Sequence, residues 1–144
     1  ENNFARVVAD ELIPLIDGAY RTKTTRQQRA VGGLSRGGGW AVHLALTGWE
    51  LFGVLGAHSP AIFYEDAQYM RVYLDQIPPD SYPRIYIDIG DKDRLGWLSA
   101  AVWFEELLNE WGIPHEWYLF SGYHSEDYWR AHLEAYLRWY AAEW

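Results

Sequence analysis

The sequence predicts an α/β domain, built on a mostly parallel β-sheet with flanking helices. Four apolar runs of strand length alternate with longer segments in which apolar residues recur at helical spacing. No repeat, low-complexity tract or linker interrupts this alternation, and 144 residues with 49% hydrophobic content suit one globular domain. We therefore treat residues 1–144 as a single domain and expect right-handed connections between its strands.

The first part of the chain supplies two strands and two helices. Apolar residues at helical spacing predict a helix over residues 4–20, with Pro14 as a local irregularity. The apolar run 29–34 predicts the first strand, and residues 38–47 predict the helix that follows it. A second strand is expected over residues 51–57.

The second part continues the alternation, and glycine and proline mark where its helices end. The predicted elements, in order, are a helix, a strand, a helix, a strand and a final helix, over residues 64–76, 84–90, 98–111, 115–120 and 126–140. In parallel α/β sheets, ligands bind beyond the carboxyl ends of the strands. The loops that follow the four strands are therefore the places to look for function.

Composition and charge exclude several classes of partner and cofactor. Twenty acidic residues against twelve basic ones give a net charge of -8, and no lysine or arginine run suggests a nucleic-acid partner. The absence of cysteine excludes disulfides, thiolate metal sites and a cysteine nucleophile. No apolar stretch reaches the roughly 18 to 20 residues of a membrane span. No motif predicts a metal or a nicotinamide cofactor, and the cellular compartment stays open.

Three of the strand-end loops carry the residue types of a serine hydrolase. Ser35 follows the first strand, Asp91 and Asp93 follow the third, and His124 follows the fourth. A serine hydroxyl becomes a useful nucleophile when an imidazole takes its proton, and a carboxylate orients that imidazole. We therefore expect Ser35, His124 and one of the two aspartates to meet at one edge of the sheet.

The glycines around Ser35 fit a sharp turn from strand to helix. A nucleophile on such a turn has a strained backbone, and side chains two residues before and after it would collide with the flanking strand and helix. We expect Gly33 and Gly37 to remove those collisions. A bare Gly-x-Ser-x-Gly is a weak signal, but its place at a strand-to-helix junction, followed by an acid and then a histidine, strengthens it.

Three segments resemble one known family. They are "ELIPLIDGAYRTKTTRQQRAVGGLSRGGGWAVHLAL" at 11–46, "IDIGDKDRL" at 87–95 and "SGYHSEDYW" at 121–129. Together they resemble the carboxyl-terminal half of the putative esterase family of α/β-hydrolases. That family includes S-formylglutathione hydrolase (esterase D), tributyrin and feruloyl esterases, and the mycolyltransferase antigens.

The resemblance assigns roles to individual residues. It implies that Ser35 is the nucleophile, that His124 is the base in a Gly-x-His context shortly before an aromatic residue, and that Asp93 is the acid at the fourth position of a Gly-x-x-Asp. Asp91 remains the alternative acid. The resemblance also implies that the backbone amide of Arg36, next to the nucleophile, is one of two donors to the oxyanion.

The resemblance further implies that the chain is the second half of a larger α/β-hydrolase domain. The strand predicted at 29–34 is apolar without alternation, as a strand with neighbours on both sides would be. In this chain it is the first strand and lies at an open edge. We therefore expect it to pair with a missing amino-terminal segment or with another copy of the chain.

The function expected from these observations is hydrolysis of small-molecule carboxylic esters through an acyl-enzyme intermediate. Two alternatives stay open: an acyltransferase that uses the same three residues, and a non-catalytic binding or assembly module. Of the other histidines, only His58 is expected near the site, because it follows the second strand. The stripe in the last predicted helix is expected to pack in the core, through Trp129, Leu133, Tyr136, Leu137 and Tyr140.

Overall fold

A four-stranded parallel sheet forms the centre of the molecule in the computed structural model, which describes residues 3–142. The strands lie in the order of the sequence: β1 (Ala30–Leu34), β2 (Val54–His58), β3 (Arg84–Gly90) and β4 (His115–Phe120). Parallel neighbours need crossover connections, and helices supply them here. The predicted α/β class and parallel sheet are confirmed.

Seven α-helices accompany the sheet within the described residues. They are α1 (Asn3–Val7), α2 (Ile13–Ala19), α3 (Arg36–Thr47), α4 (Tyr64–Ala67), α5 (Met70–Gln76), α6 (Leu95–Glu110) and α7 (Glu126–Ala141). Single 3₁₀ turns occur at Arg26–Gln28 and Pro79–Ser81. The last predicted helix and the fourth strand have the expected positions, whereas several other boundaries differ.

The irregularity expected at Pro14 is a π-helical turn at Val8–Leu12, between α1 and α2. The backbone N–H of Ile13 donates to the carbonyl of Val8, five residues earlier. A proline ring clashes with the carbonyl four residues before it in a regular α-helix. The wider turn ends just before Pro14 and accommodates its ring.

Three further predicted elements need correction. β2 begins at Val54 rather than at residue 51, because the segment before it is a turn in which Gly53 donates its N–H to the carbonyl of Arg26 at 2.7 Å. The helix predicted over residues 64–76 is two helices, α4 and α5, with a turn in which Tyr69 donates to the carbonyl of Asp66. α6 begins at residue 95 instead of 98.

Alternate residues of the central strands face two different layers. One face of β2 and β3 packs under α3, α5 and α6 in a hydrophobic core that contains Leu55, Ala57, Ile85 and Ile87. The opposite face lies under α7 and carries the polar side chains of His58, Tyr86 and Asp88. Both layers end at the carboxyl edge of the sheet, and this edge is where the loops with functional residues meet.

β1 is the edge strand and pairs with β2 alone. None of its five residues is buried, and the side chain of Leu34 is 42% exposed. An open groove of about 620 Å³ runs beside it, with Leu12, Ile16, Val31 and Phe52 among its lining residues. The strand predicted to have two neighbours therefore lies at an open edge beside an apolar groove.

Candidate active site

Ser35 lies on the sharp turn between β1 and α3. Its φ of 57° and ψ of -122° are rare for a residue with a side chain and store backbone strain. Hydrogen bonds hold this conformation: the Ser35 N–H donates to the carbonyl of His58 at 2.9 Å, and its own carbonyl accepts from Gly39 and Ala61. His58 is thus near the site, as expected, through its backbone.

Gly33, Gly38 and Gly39 lie in close contact with neighbouring atoms at this turn. A Cβ atom at Gly33 would overlap the backbone of Gly37, as the motif predicts. The collision expected at Gly37 is wrong for the described part of the chain, because a Cβ there would meet no heavy atom within 4 Å. Gly39 carries that constraint instead, since its Cβ would overlap the carbonyl of Ala61.

Three side chains from three loops form one hydrogen-bonded chain at the carboxyl edge of the sheet. The Oγ of Ser35 lies 2.9 Å from Nε2 of His124, and Nδ1 of His124 lies 2.9 Å from Oδ2 of Asp93. The other oxygen of Asp93 accepts the backbone N–H of Arg94 at 2.6 Å. With the proton on Nδ1, His124 donates to Asp93 and accepts from the Ser35 hydroxyl.

The two candidate acids have different partners. Oδ1 of Asp91 accepts the backbone N–H of Gly122 at 2.9 Å, and the N–H of Asp91 donates to the carbonyl of Phe120. Asp91 therefore joins the loop after β3 to the loop that carries His124. Asp93 is buried and contacts the imidazole itself, so the geometry favours Asp93 as the orienting acid.

Two tryptophans pack their rings against His124. Trp97 meets the imidazole at 4.2 Å between ring centroids and Trp129 at 4.8 Å, both nearly edge to face. The indole N–H of Trp129 donates to the hydroxyl of Ser59 at 3.1 Å, and the guanidinium of Arg94 lies over Trp97. These contacts restrict rotation of the imidazole. Sequence reasoning missed Trp97, although its place after the Asp93 loop was a possible signal.

The apolar stripe of α7 is only partly in the core. Tyr136 is buried, whereas Leu133 and Leu137 are 51% and 59% exposed. Trp129 contacts His124 rather than the hydrophobic core. The expectation that this stripe packs in the core is therefore wrong for the two leucines and for Trp129.

The backbone amide of Arg36 lies at the start of α3. The first N–H groups of a helix have no acceptor within the helix, and the helix N-terminus favours negative charge. Because Arg36 directly follows Ser35, an oxyanion on a substrate bound to Ser35 would form near this amide. The family resemblance implies this role for Arg36, and it stays a prediction.

Residues 3–142 contain neither a cluster of metal ligands nor a membrane-spanning helix. No group of three or more histidine, aspartate or glutamate side chains is placed to hold a metal ion in that range. No helix of the described chain is both long and apolar enough to cross a bilayer.

Comparison with known proteins identifies the family. The family model described as "Putative esterase" matches residues 1–140. The chain belongs to the putative esterase family. The resemblance inferred from the sequence motifs is thereby confirmed.

The relatives that this chain matches are longer than the chain itself. It is 31% identical over 120 residues to an endo-1,4-beta-xylanase/feruloyl esterase of Xylanibacter ruminicola, a match that covers 78% of this chain and 15% of the relative. A solved ferulic acid esterase superposes with a TM-score of 0.82 at 23% identity, over 96% of this chain and 60% of that one.

A second solved structure has the same fold. The Staphylococcus aureus fluorophosphonate-binding serine hydrolase F superposes with a TM-score of 0.80 at 16% identity, over 95% of this chain and 62% of that one. The chain therefore spans about three fifths of these two structures.

Proposed function

We propose that this chain carries the catalytic centre of a serine carboxylesterase. The observation that supports the proposal is the hydrogen-bonded chain from Ser35 through His124 to Asp93, with 2.9 Å at each step. Its position beyond the carboxyl ends of parallel strands fits the usual location of ligand sites in such sheets. Membership of the putative esterase family supports ester hydrolysis independently.

In the proposed acylation, the Oγ of Ser35 attacks the ester carbonyl while Nε2 of His124 takes the hydroxyl proton. Asp93 stabilises the imidazolium that forms, and the N–H of Arg36 donates to the tetrahedral oxyanion. The imidazolium then gives its proton to the leaving alcohol as the carbon–oxygen bond of the ester breaks. The acyl group remains on Ser35.

In the proposed deacylation, a water molecule replaces the alcohol. His124 takes a proton from this water, and the hydroxide attacks the acyl carbonyl on Ser35. Collapse of the second tetrahedral intermediate returns the proton to Oγ and releases the carboxylic acid. Every step uses a side chain or backbone amide of the chain, so the proposal requires no cofactor or metal.

The proposed substrates are small-molecule carboxylic esters. A curated relative is named a feruloyl esterase and a solved neighbour a ferulic acid esterase, so feruloyl esters are the natural first substrates to compare with short aliphatic esters. An acyltransferase would form the same acyl group on Ser35 and pass it to an alcohol instead of to water.

We also propose that further strands of the hydrolase fold cover β1 in the working enzyme. The unpaired edge and the apolar groove beside it support this, as does the greater length of the neighbouring structures. Light scattering of the 144-residue chain tests the point. We expect the chain alone to associate or to fold poorly, and we expect the remaining strands of the fold to relieve this when they are added. A cooperative monomer would contradict the proposal. A stable dimer that the added strands do not replace would assign the edge of β1 to a second copy of the chain.

Hydrolysis assays test the proposed activity in the assembled protein, by which we mean this chain together with the strands proposed to cover β1. Wild type should release acid and alcohol from a chromogenic ester, Ser35→Ala should lose this activity, and Ser99→Ala, which changes an exposed serine of α6, should retain it. Activity that survives Ser35→Ala would contradict the proposal. Diversion of the acyl group to an added alcohol, without release of free acid, would favour the acyltransferase.

A further inference from the structure

A buried polar cluster lies between β3 and α7. Its centre is Asp88 of β3, which is 0% exposed. Oδ1 of Asp88 lies 2.6 Å from Nδ1 of His58, and Oδ2 accepts the hydroxyls of Tyr128 and Tyr136 at 2.7 Å each. We call these four residues, together with Tyr140, the Asp88 cluster.

Tyr140 completes the cluster and fixes it against the sheet. Its hydroxyl lies 2.9 Å from Nε2 of His58. A Cβ atom on either Gly32 or Gly56 would overlap this hydroxyl, so glycine in these two strands makes room for it. The cluster therefore contacts β1 and β2 through Tyr140 and includes Asp88 of β3.

Burial of its polar and charged groups costs free energy, and the cluster takes no direct part in the proposed chemistry. A buried carboxylate is tolerated when hydrogen bonds replace its hydration, and three donors do so for Asp88. Burial, followed by the charge of Asp88, raises the pKa of Tyr128 and of Tyr136 far above the ordinary value. Both hydroxyls thus remain protonated donors across the neutral range.

Tyr128 connects this cluster to the loop that carries His124. Its ring packs against Gly122, where a Cβ atom would overlap the ring. Its backbone N–H donates to Oγ of Ser125, the residue that caps the start of α7, at 3.3 Å. Gly122 and Ser125 lie on either side of His124 in the sequence, so Tyr128 supports the loop on both sides of the imidazole.

We propose that Tyr128, anchored by Asp88, is a positioning residue that holds His124 at hydrogen-bond distance from Ser35. The inference rests on the proposed function, in which the imidazole must remain within reach of Oγ. A displacement of catalytic groups by about 1 Å can reduce turnover up to a hundredfold. Loss of the anchor should therefore lower turnover without removing any reacting group.

Tyr136 offers a matched control. Its hydroxyl donates to the same oxygen of Asp88 at the same 2.7 Å, and it too is buried. Its ring, however, stacks on His58 at 3.7 Å and packs against Tyr86 and His132. Removal of either hydroxyl takes one donor from Asp88, but only Tyr128 has described contacts with the His124 loop.

The test compares Tyr128→Phe with Tyr136→Phe in the assembled protein. Both variants should lose similar stability, since each loses one hydrogen bond to Asp88. Tyr128→Phe should lower kcat by about tenfold or more with KM nearly unchanged, whereas Tyr136→Phe should retain kcat per folded molecule. Equal kcat in the two variants would overturn the proposal.

A spectroscopic measurement separates positioning from activity. The imidazole N–H that donates to Asp93 should give a downfield proton resonance, assigned by its loss in His124→Gln. Tyr128→Phe should shift or broaden it, and Tyr136→Phe should leave it in place; the same spectrum in both variants would overturn the positioning role. If wild type hydrolyses no ester but the shift is seen, the proposed function fails while the positioning role stands.

A second variant covers the case in which Tyr128→Phe does not fold. Ser125→Ala removes the acceptor of the Tyr128 backbone N–H and leaves the Asp88 cluster intact. Ser125→Ala should shift or broaden the resonance of the His124 imidazole N–H and should lower kcat, as expected for Tyr128→Phe. An unchanged resonance and unchanged kcat in Ser125→Ala would then overturn the proposal.

Discussion

The carboxylate of Asp91 binds the backbone N–H of Gly122 at 2.9 Å, and so joins the loop after β3 to the loop after β4. Asp93, two residues later, contacts the imidazole of His124 instead. The two acids thus have separate partners, and in the proposed mechanism Asp91 holds two loops together while Asp93 orients the base.

We therefore expect the loss of turnover to differ when each of these aspartates is changed to asparagine. Asp93→Asn should lower kcat by about 10⁴ with little effect on KM, because the imidazole loses the carboxylate that sets its tautomer. Asp91→Asn should cost far less, since its side-chain oxygen can still accept from Gly122. Steady-state kinetics on one ester would measure both, and the reverse order would move the acid to Asp91.

The glycines of the turn provide a second prediction, on stability. Gly33→Ala should lower the free energy of unfolding by about 1 to 3 kcal/mol, the usual cost of overpacking, because its Cβ overlaps the backbone of Gly37. Gly37→Ala has room for its methyl group and should be neutral or stabilise α3 by up to about 1 kcal/mol. Urea unfolding of both variants measures this, and equal losses would contradict it.

The tyrosines on the α7 side of the sheet predict a loss of stability at high pH. Burial raises the pKa of Tyr86, Tyr128, Tyr136 and Tyr140 in the folded state above the ordinary value of about 10. The stability that these four tyrosines contribute is therefore fully present below about pH 10. It is lost as the pH rises further, because the unfolded chain releases these protons at lower pH than the folded chain does.

Urea unfolding measured across this pH range checks the alkaline prediction. Each such tyrosine can add at most about 1.4 kcal/mol of lost stability per pH unit above pH 10. Tyr140→Phe should make the decline shallower, whereas Tyr20→Phe, which alters an exposed tyrosine near the end of α2, should not. A free energy of unfolding that stays constant above pH 10 would contradict the account.

The fold class followed from the sequence because strand and helix periods are local signals. Breaks within elements were harder to predict, and the division between α4 and α5 is the clearest case. Asp66 at this division is buried and lies 2.7 Å from Nδ1 of His43, on α3. A contact across 23 residues leaves no trace in the local apolar pattern.

The proposed site was only partly accessible to sequence reasoning. Chain order and the glycine-flanked turn pointed to Ser35 and His124, but Asp91 and Asp93 follow the same strand and local pattern could not rank them. Asp88 was missed because it lies in a strand with alternating isoleucines, where Tyr86 and Asp88 share the other face. Polar residues at alternate positions of that strand were the available signal.

Covalent labelling of Ser35 tests the central claim most directly. The assembled protein, treated with a fluorophosphonate probe and digested, should carry a single adduct, and mass spectrometry should place it on Ser35. Ser35→Ala should abolish labelling, and His124→Gln should slow it strongly because the hydroxyl loses its base. Labelling that persists at full rate in Ser35→Ala, or an adduct on another residue, would contradict the account.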